Sequence, residues 1–191
     1  MDQFLSSRKN VEVLFAKQGQ LANPFQRDLL EIIHSEGLPE LSRYQRVAGQ
    51  LSSQEDKLHV LALGLVPALY AQYRAALSLQ GQEHVRRIIV VMFESFARIH
   101  EGRMRLLTEV GTANLLAMFD DEDSSVRREL CKLFNTLVAF PDVHREMHLD
   151  REVMQKLVQV FVEDFEQVAR LIIPAIATLS EYDQHMSQYV A

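Results

Sequence analysis

Five arginines carry the clearest chemical potential in this sequence. Arg87, Arg128 and Arg170 recur at intervals of 41 and 42 residues, and Arg86 and Arg127 stand beside two of them. A guanidinium is a planar, permanently charged fork that fits carboxylates and phosphates bidentately. On helices stacked about 10 Å apart, the three side chains would form a basic stripe for an acidic or phosphorylated ligand. A second reading stays open: Asp120, Asp121, Glu122, Asp123, Glu163, Asp164 and Glu166 lie close by in sequence, and ion pairs with them would consume the charge.

Other reactive residue types are sparser. His144 and His148 stand four apart, a spacing that can hold a metal, but a zinc protease needs glutamate immediately after the first histidine. Here Arg145 holds that place and Glu146 follows it. The single cysteine, Cys131, sits inside an apolar pattern and reads as a small buried hydrophobe. No glycine-rich phosphate loop, G-x-S-x-G elbow or cysteine cluster occurs. The expectation is no catalytic residue, no metal site, no cofactor and no enzymatic activity.

The elements that would position these residues are helices. Of 191 residues, 48% are hydrophobic and 24% charged, with only seven glycines and five prolines, which leaves little turn chemistry for a β-rich fold. The net charge of −6 argues against nucleic acid as a partner, since backbone contacts need a basic face. One cysteine suits a reducing, cytoplasmic setting. The first residues, MDQFLSSRKN, lack the order of a signal peptide, and no uncharged apolar run reaches the roughly 20 residues of a membrane span.

Apolar spacing predicts a first helix over residues 2–17. A second opens at Asn23-Pro24, an N-cap followed by proline at the first helical position. A third covers residues 38–51, and a long helix kinked at Pro67 covers residues 55–79. Residues 82–100 form the next, with Gly102 as its stop. Residues 111–140 read as two helices joined by an acidic elbow, DDEDSS, which supplies an N-cap for the second.

That last stretch repeats. Shifted by 42 residues, Leu115 meets Leu157, Phe119 meets Phe161, Val126 meets Val168 and Leu130 meets Ile172. Shifted back by 41, Val126 meets Val85, Leu130 meets Ile89 and Phe134 meets Phe93. A period near 42 in an all-helical chain marks a stacked repeat whose units bury their apolar faces on one another. The pattern Gly111…Leu115-Leu116…Phe119…Asp123…Val126…Leu130…Phe134…Leu137 resembles the second and third helices of an armadillo repeat. HEAT repeats share much of it.

The resemblance implies an all-α, right-handed α-solenoid: armadillo-like repeats over residues 82–181, with units near 82–101, 103–140 and 142–181. Residues 1–81 would form a less regular N-terminal helical cap, and residues 182–191 a tail folding back over the apolar last helix, all within one continuous domain. In armadillo proteins that hold extended peptides, the third helix carries an asparagine ladder. The matching positions here are Ser95, Thr136 and Thr178, and Asn135 lies about 100° around the helix from that line. Same-side neighbours of the ladder include Glu94, Arg98, Glu129 and Lys132.

The expected function is therefore a non-enzymatic protein–protein interaction module. Another protein or peptide would bind at Glu94, Ser95, Arg98, Glu129, Lys132, Thr136 and Thr178, or along the stripe of Arg87, Arg128 and Arg170. Two alternatives remain: a HEAT-like domain binding nucleic acid or a phosphorylated ligand through the stripe, and a self-associating structural array.

Overall fold

Where each helix starts is set by local chemistry. The computed structural model describes residues 23–35, 37–143 and 151–190, with side chains from residue 152 to residue 181 in the last segment. Helix α1, Pro24–His34, opens on a capping box: Gln26 N–H donates to Asn23 Oδ1 at 2.8 Å, and Gln26 Oε1 accepts from Asn23 N–H. Helix α2 is Leu41–Gln50, just beyond Pro39. Helix α3, Gln54–Ala62, is capped by Ser53, whose hydroxyl accepts from Asp56 N–H at 3.0 Å. The helix expected over residues 2–17 and the pair His144 and His148 lie outside the described residues.

The long helix expected over residues 55–79 is two helices. α3 ends at Ala62 and α4 runs Leu65–Leu77, bent from it by 74°. Pro67 does not make the break. Gly64 does, at φ +82°, a left-handed conformation that glycine adopts without steric cost. Pro67 then falls in the first turn of α4, where its missing N–H would have had no intrahelical partner.

Helix α5, Glu83–Ala97, ends before Gly102, which does not cap it. Gly102 lies inside α6, His100–Arg105, where a Cβ would stand 2.2 Å from the carbonyl oxygen of Phe96. Its role is close packing at the α5–α6 corner. A π-helical turn, Leu106–Val110, leads through Gly111 to α7, Thr112–Ala117, and a 3₁₀ turn, Met118–Asp120. Then come α8, Ser124–Val138, α9, Arg151–Glu163, and α10, Glu166–Val190. The tail expected to fold back instead continues α10 through Val190.

These helices stack in layers. α2 packs on α5, α5 on α8, and α8 on α10; beside that row, α1 packs on α4 and α7 on α9. Helix α4 packs on α5, and α3 packs on α4 and α6. The core is the repeated apolar set: Val85, Ile89, Met92, Phe93 and Phe96 from α5, Val126, Leu130, Leu133, Phe134 and Leu137 from α8, and Val168, Ile172 and Leu179 from α10. Phe119 and Phe134 rings meet at 5.1 Å. Among the described residues there is no strand, and no single helix is long and apolar enough to cross a membrane.

Candidate functional site

Two adjacent arginines stand in the first turns of α5 and of α8, and helical geometry separates them. Residues three, four and seven apart share a face. Arg86 therefore belongs to the row with Val90, Phe93 and Ala97, all buried, whereas Arg87 belongs with Val91, Glu94 and Arg98 on the solvent side. Likewise Arg127 shares a face with buried Cys131, Phe134 and Val138, and Arg128 with exposed Lys132.

The inward row clamps the layers together. Arg86 donates to both oxygens of Asp121, at 2.7 and 3.1 Å, and Tyr73 O–H donates to the same carboxylate at 2.8 Å. Asp121 also accepts from Asp123 N–H at 2.9 Å, and its side chain is fully buried. One layer on, Arg127 makes the equivalent bidentate pair with Asp164, at 2.6 and 2.8 Å. Its other nitrogen donates to the Asp121 and Glu122 carbonyls. A third clamp sets Arg103 over the Phe140 ring at 3.6 Å while it donates to Asp142, which also meets His100 Nδ1 at 2.6 Å. The pairing of elbow acids with arginines thus holds for Arg86 and Arg127.

The outward row is different. Arg87 and Arg128 are exposed and form no ion pair among the described residues. Arg170, also exposed, is paired with Glu166 on its own helix. The stripe therefore presents two uncommitted guanidiniums on adjacent packed helices rather than three.

Among the expected groove residues, the acids are occupied. Glu94 accepts from Arg98 at 3.0 Å and from the Thr136 hydroxyl at 3.0 Å, which joins α5 to α8. Glu129 is held by Lys132 at 2.9 Å. Ser95 Oγ points to the Leu51 carbonyl at 3.4 Å, and Thr178 is half-buried on α10. Asn135, off the ladder line, donates to the Leu171 carbonyl at 2.7 Å, one turn ahead of Pro174 in α10. Lys57 of α3, absent from the expected set, sits close enough for the Arg98 charge to act on it. Burial first and then that charge lower its ammonium, against the pull of Glu94.

Burial, with the Asp164 charge, pushes the Cys131 thiol up to about 12, the direction that disfavours the reactive thiolate. Among the described residues no three His, Cys, Asp or Glu side chains converge on a metal position.

The clamp carboxylates carry a pH signature. Hydrogen bonds from Arg46 hold Asp28 below its ordinary value. At Asp142 and Asp164 burial acts upward, but hydrogen bonds from His100 and Arg103, and from Arg127, outweigh it. Asp123 is lowered chiefly by Ser125. A depressed carboxylate adds stability that is complete above its unfolded value, about 3.9, and is lost as pH falls through the folded value. Thermal melts should therefore be level from pH 7 to about 5 and drop steeply below about 4; a midpoint unchanged at pH 3 would contradict these pairings.

No protein-family model matches the sequence, and no curated protein does. Solved structures do. The chain superposes on an engineered protein with TM-score 0.67 at 13% identity, covering 84% of this chain and 64% of that one. It is similar to the designed armadillo repeat protein YIII(Dq)4CqI at TM-score 0.64 and 14% identity, over 80% and 63% of the two chains. It is also similar to the designed armadillo repeat protein YIII(Dq.V1)4CPAF in complex with peptide (KR)4, at TM-score 0.62 and 16% identity, over 83% and 64%. The chain spans just under two thirds of the length of each. At such identities the likeness is one of fold, and the fold is an all-α, armadillo-like solenoid.

Proposed function

We propose that the protein is a non-enzymatic binding scaffold whose α5–α8–α10 face holds an acidic segment of a partner protein. The observation that carries this reading is the pair Arg87 and Arg128, exposed and without an ion-pair partner among the described residues, on adjacent packed helices. Glu94, Glu129 and Glu166 nearby are already matched by Arg98, Lys132 and Arg170. What remains for a ligand is positive charge, although the whole chain carries −6.

Packed helices lie about 8–10 Å apart. An extended segment advances about 3.3 Å per residue, so carboxylates about three residues apart would meet the two guanidiniums in turn. The armadillo-like fold supports the reading, since one solved neighbour carries a peptide. That peptide is basic, and the charge on this face favours the opposite sign.

Fluorescence anisotropy with a labelled oligoglutamate peptide, an oligo(Lys-Arg) peptide and a single-stranded oligonucleotide tests the proposal. The oligoglutamate should bind and weaken with added salt, and the R87E/R128E variant should bind it at least about tenfold more weakly, or about 1.4 kcal/mol. Preference for the basic peptide or the oligonucleotide, or an unaffected variant, would overturn it.

A further inference from the structure

The C-terminal end of the stack leaves an apolar face open. Val158, Phe161 and Val162 on α9, Phe165 in the elbow and Ile173 on α10 are 41%, 44%, 71%, 72% and 46% exposed. The 42-residue register explains their character. Val158, Phe161 and Ile173 correspond to Leu116, Phe119 and Cys131 of the preceding layer, which are 5%, 4% and 0% exposed. In that layer α9 packs on α7 and α10 lies over α8, with Cys131 Sγ 3.8 Å from the Val168 carbonyl. The open face is thus a layer-to-layer surface with no layer upon it among the described residues.

We infer that this face pairs with the same face of a second copy of the chain, around a twofold axis. Among the described residues, α1 and α2 at the opposite end expose no large hydrophobic side chain. A head-to-tail contact with α1 and α2 would set apolar against polar surface, while a twofold contact sets apolar against apolar. The rim supplies matching charge. Glu166 and Arg170, each 74% exposed and one turn apart on α10, form a self-complementary pair, so Glu166 of one copy can meet Arg170 of the other and the reverse. A closed twofold contact of this kind also stops growth at the dimer. The five side chains expose several hundred Å² of apolar surface, within the range that marks an interaction site.

Light scattering and sedimentation of the full chain over a concentration series test this. The 22.0 kDa chain should move toward twice its mass as concentration rises. V162E and F165E, at the most exposed positions, should weaken association about tenfold or more with unchanged thermal melts. E166K and R170E should each weaken it alone, through like charges facing across the axis, and a one-to-one mixture of the two should restore it. That rescue is specific to an isologous contact. A wild-type chain that stays monomeric throughout, patch variants that associate normally, growth beyond the dimer, or a mixture no tighter than its parts would each overturn the proposal.

Discussion

Replacing Asp121 by alanine is expected to cost about 3–5 kcal/mol of stability. Its carboxylate accepts from Arg86, Tyr73 and the Asp123 backbone with no exposed side-chain surface. Removing it strands a guanidinium whose side chain is only 11% exposed, and an unpaired buried charge is far costlier than the pair was beneficial. The double variant R86M/D121L should recover much of the loss, because well-packed apolar replacements of buried ion pairs are often neutral. Urea unfolding of wild type, the single variant and the double variant measures all three. A single-variant loss below about 1 kcal/mol would show that the pair is not buried in solution.

The clamps also bear on the proposed binding face. Arg86 with Asp121 fixes α5 to the elbow ahead of α8, and Arg127 with Asp164 fixes α8 to the elbow ahead of α10. Arg87 and Arg128 each follow a clamp residue by one position, so the rigid inward row sets the spacing of the outward one. A ligand that reads two guanidiniums gains affinity when they need no ordering. D121A should therefore weaken oligoglutamate binding at a temperature where the chain is still folded, without removing either guanidinium.

Much of this was legible in the sequence, and the boundary is physical. The period near 42 and the set Val126, Leu130, Phe134 and Leu137 gave the stack, since burial of one helical stripe imposes that spacing. The Asn23-Pro24 helix start could be read because capping is local chemistry. Which arginine of each adjacent pair turns inward was also encoded, in the rows 86/90/93/97 and 127/131/134/138. That signal was easy to pass over because a charged residue is not expected in a buried row. The partners were not readable: Tyr73 meets Asp121 across 48 residues and Arg103 meets Asp142 across 39, and no local rule pairs them. The break at Gly64 was hidden for another reason. Proline is the stronger helix breaker only in a helix interior, and whether Pro67 lies there depends on where the preceding helix stops.

Gly102 is where that interplay of local and tertiary demands can be weighed most directly. As a helical residue it should gain about 1 kcal/mol from conversion to alanine on propensity alone. Its place at the α5–α6 corner reverses the sign. A Cβ would sit 2.2 Å from Phe96 O and 2.7 Å from Phe96 C, and both are main-chain atoms that no rotamer change can move. Relief requires the corner to open, and the corner is anchored on both sides: Phe96 and Ala97 are fully buried, and Arg103 donates to the Ala97 carbonyl at 3.1 Å while reaching Asp142. Opening it would disturb the α5 core and the third clamp together. The G102A variant is expected to lose about 3 kcal/mol net, at the upper end of overpacking costs, read as a lowered urea midpoint. The exposed control G49A, where a Cβ meets nothing within 4 Å, should be neutral or slightly stabilising. If G102A matched G49A, the close approach of α6 to α5 would not exist in solution, and the stacking of the layers on either side of it would have to be redrawn.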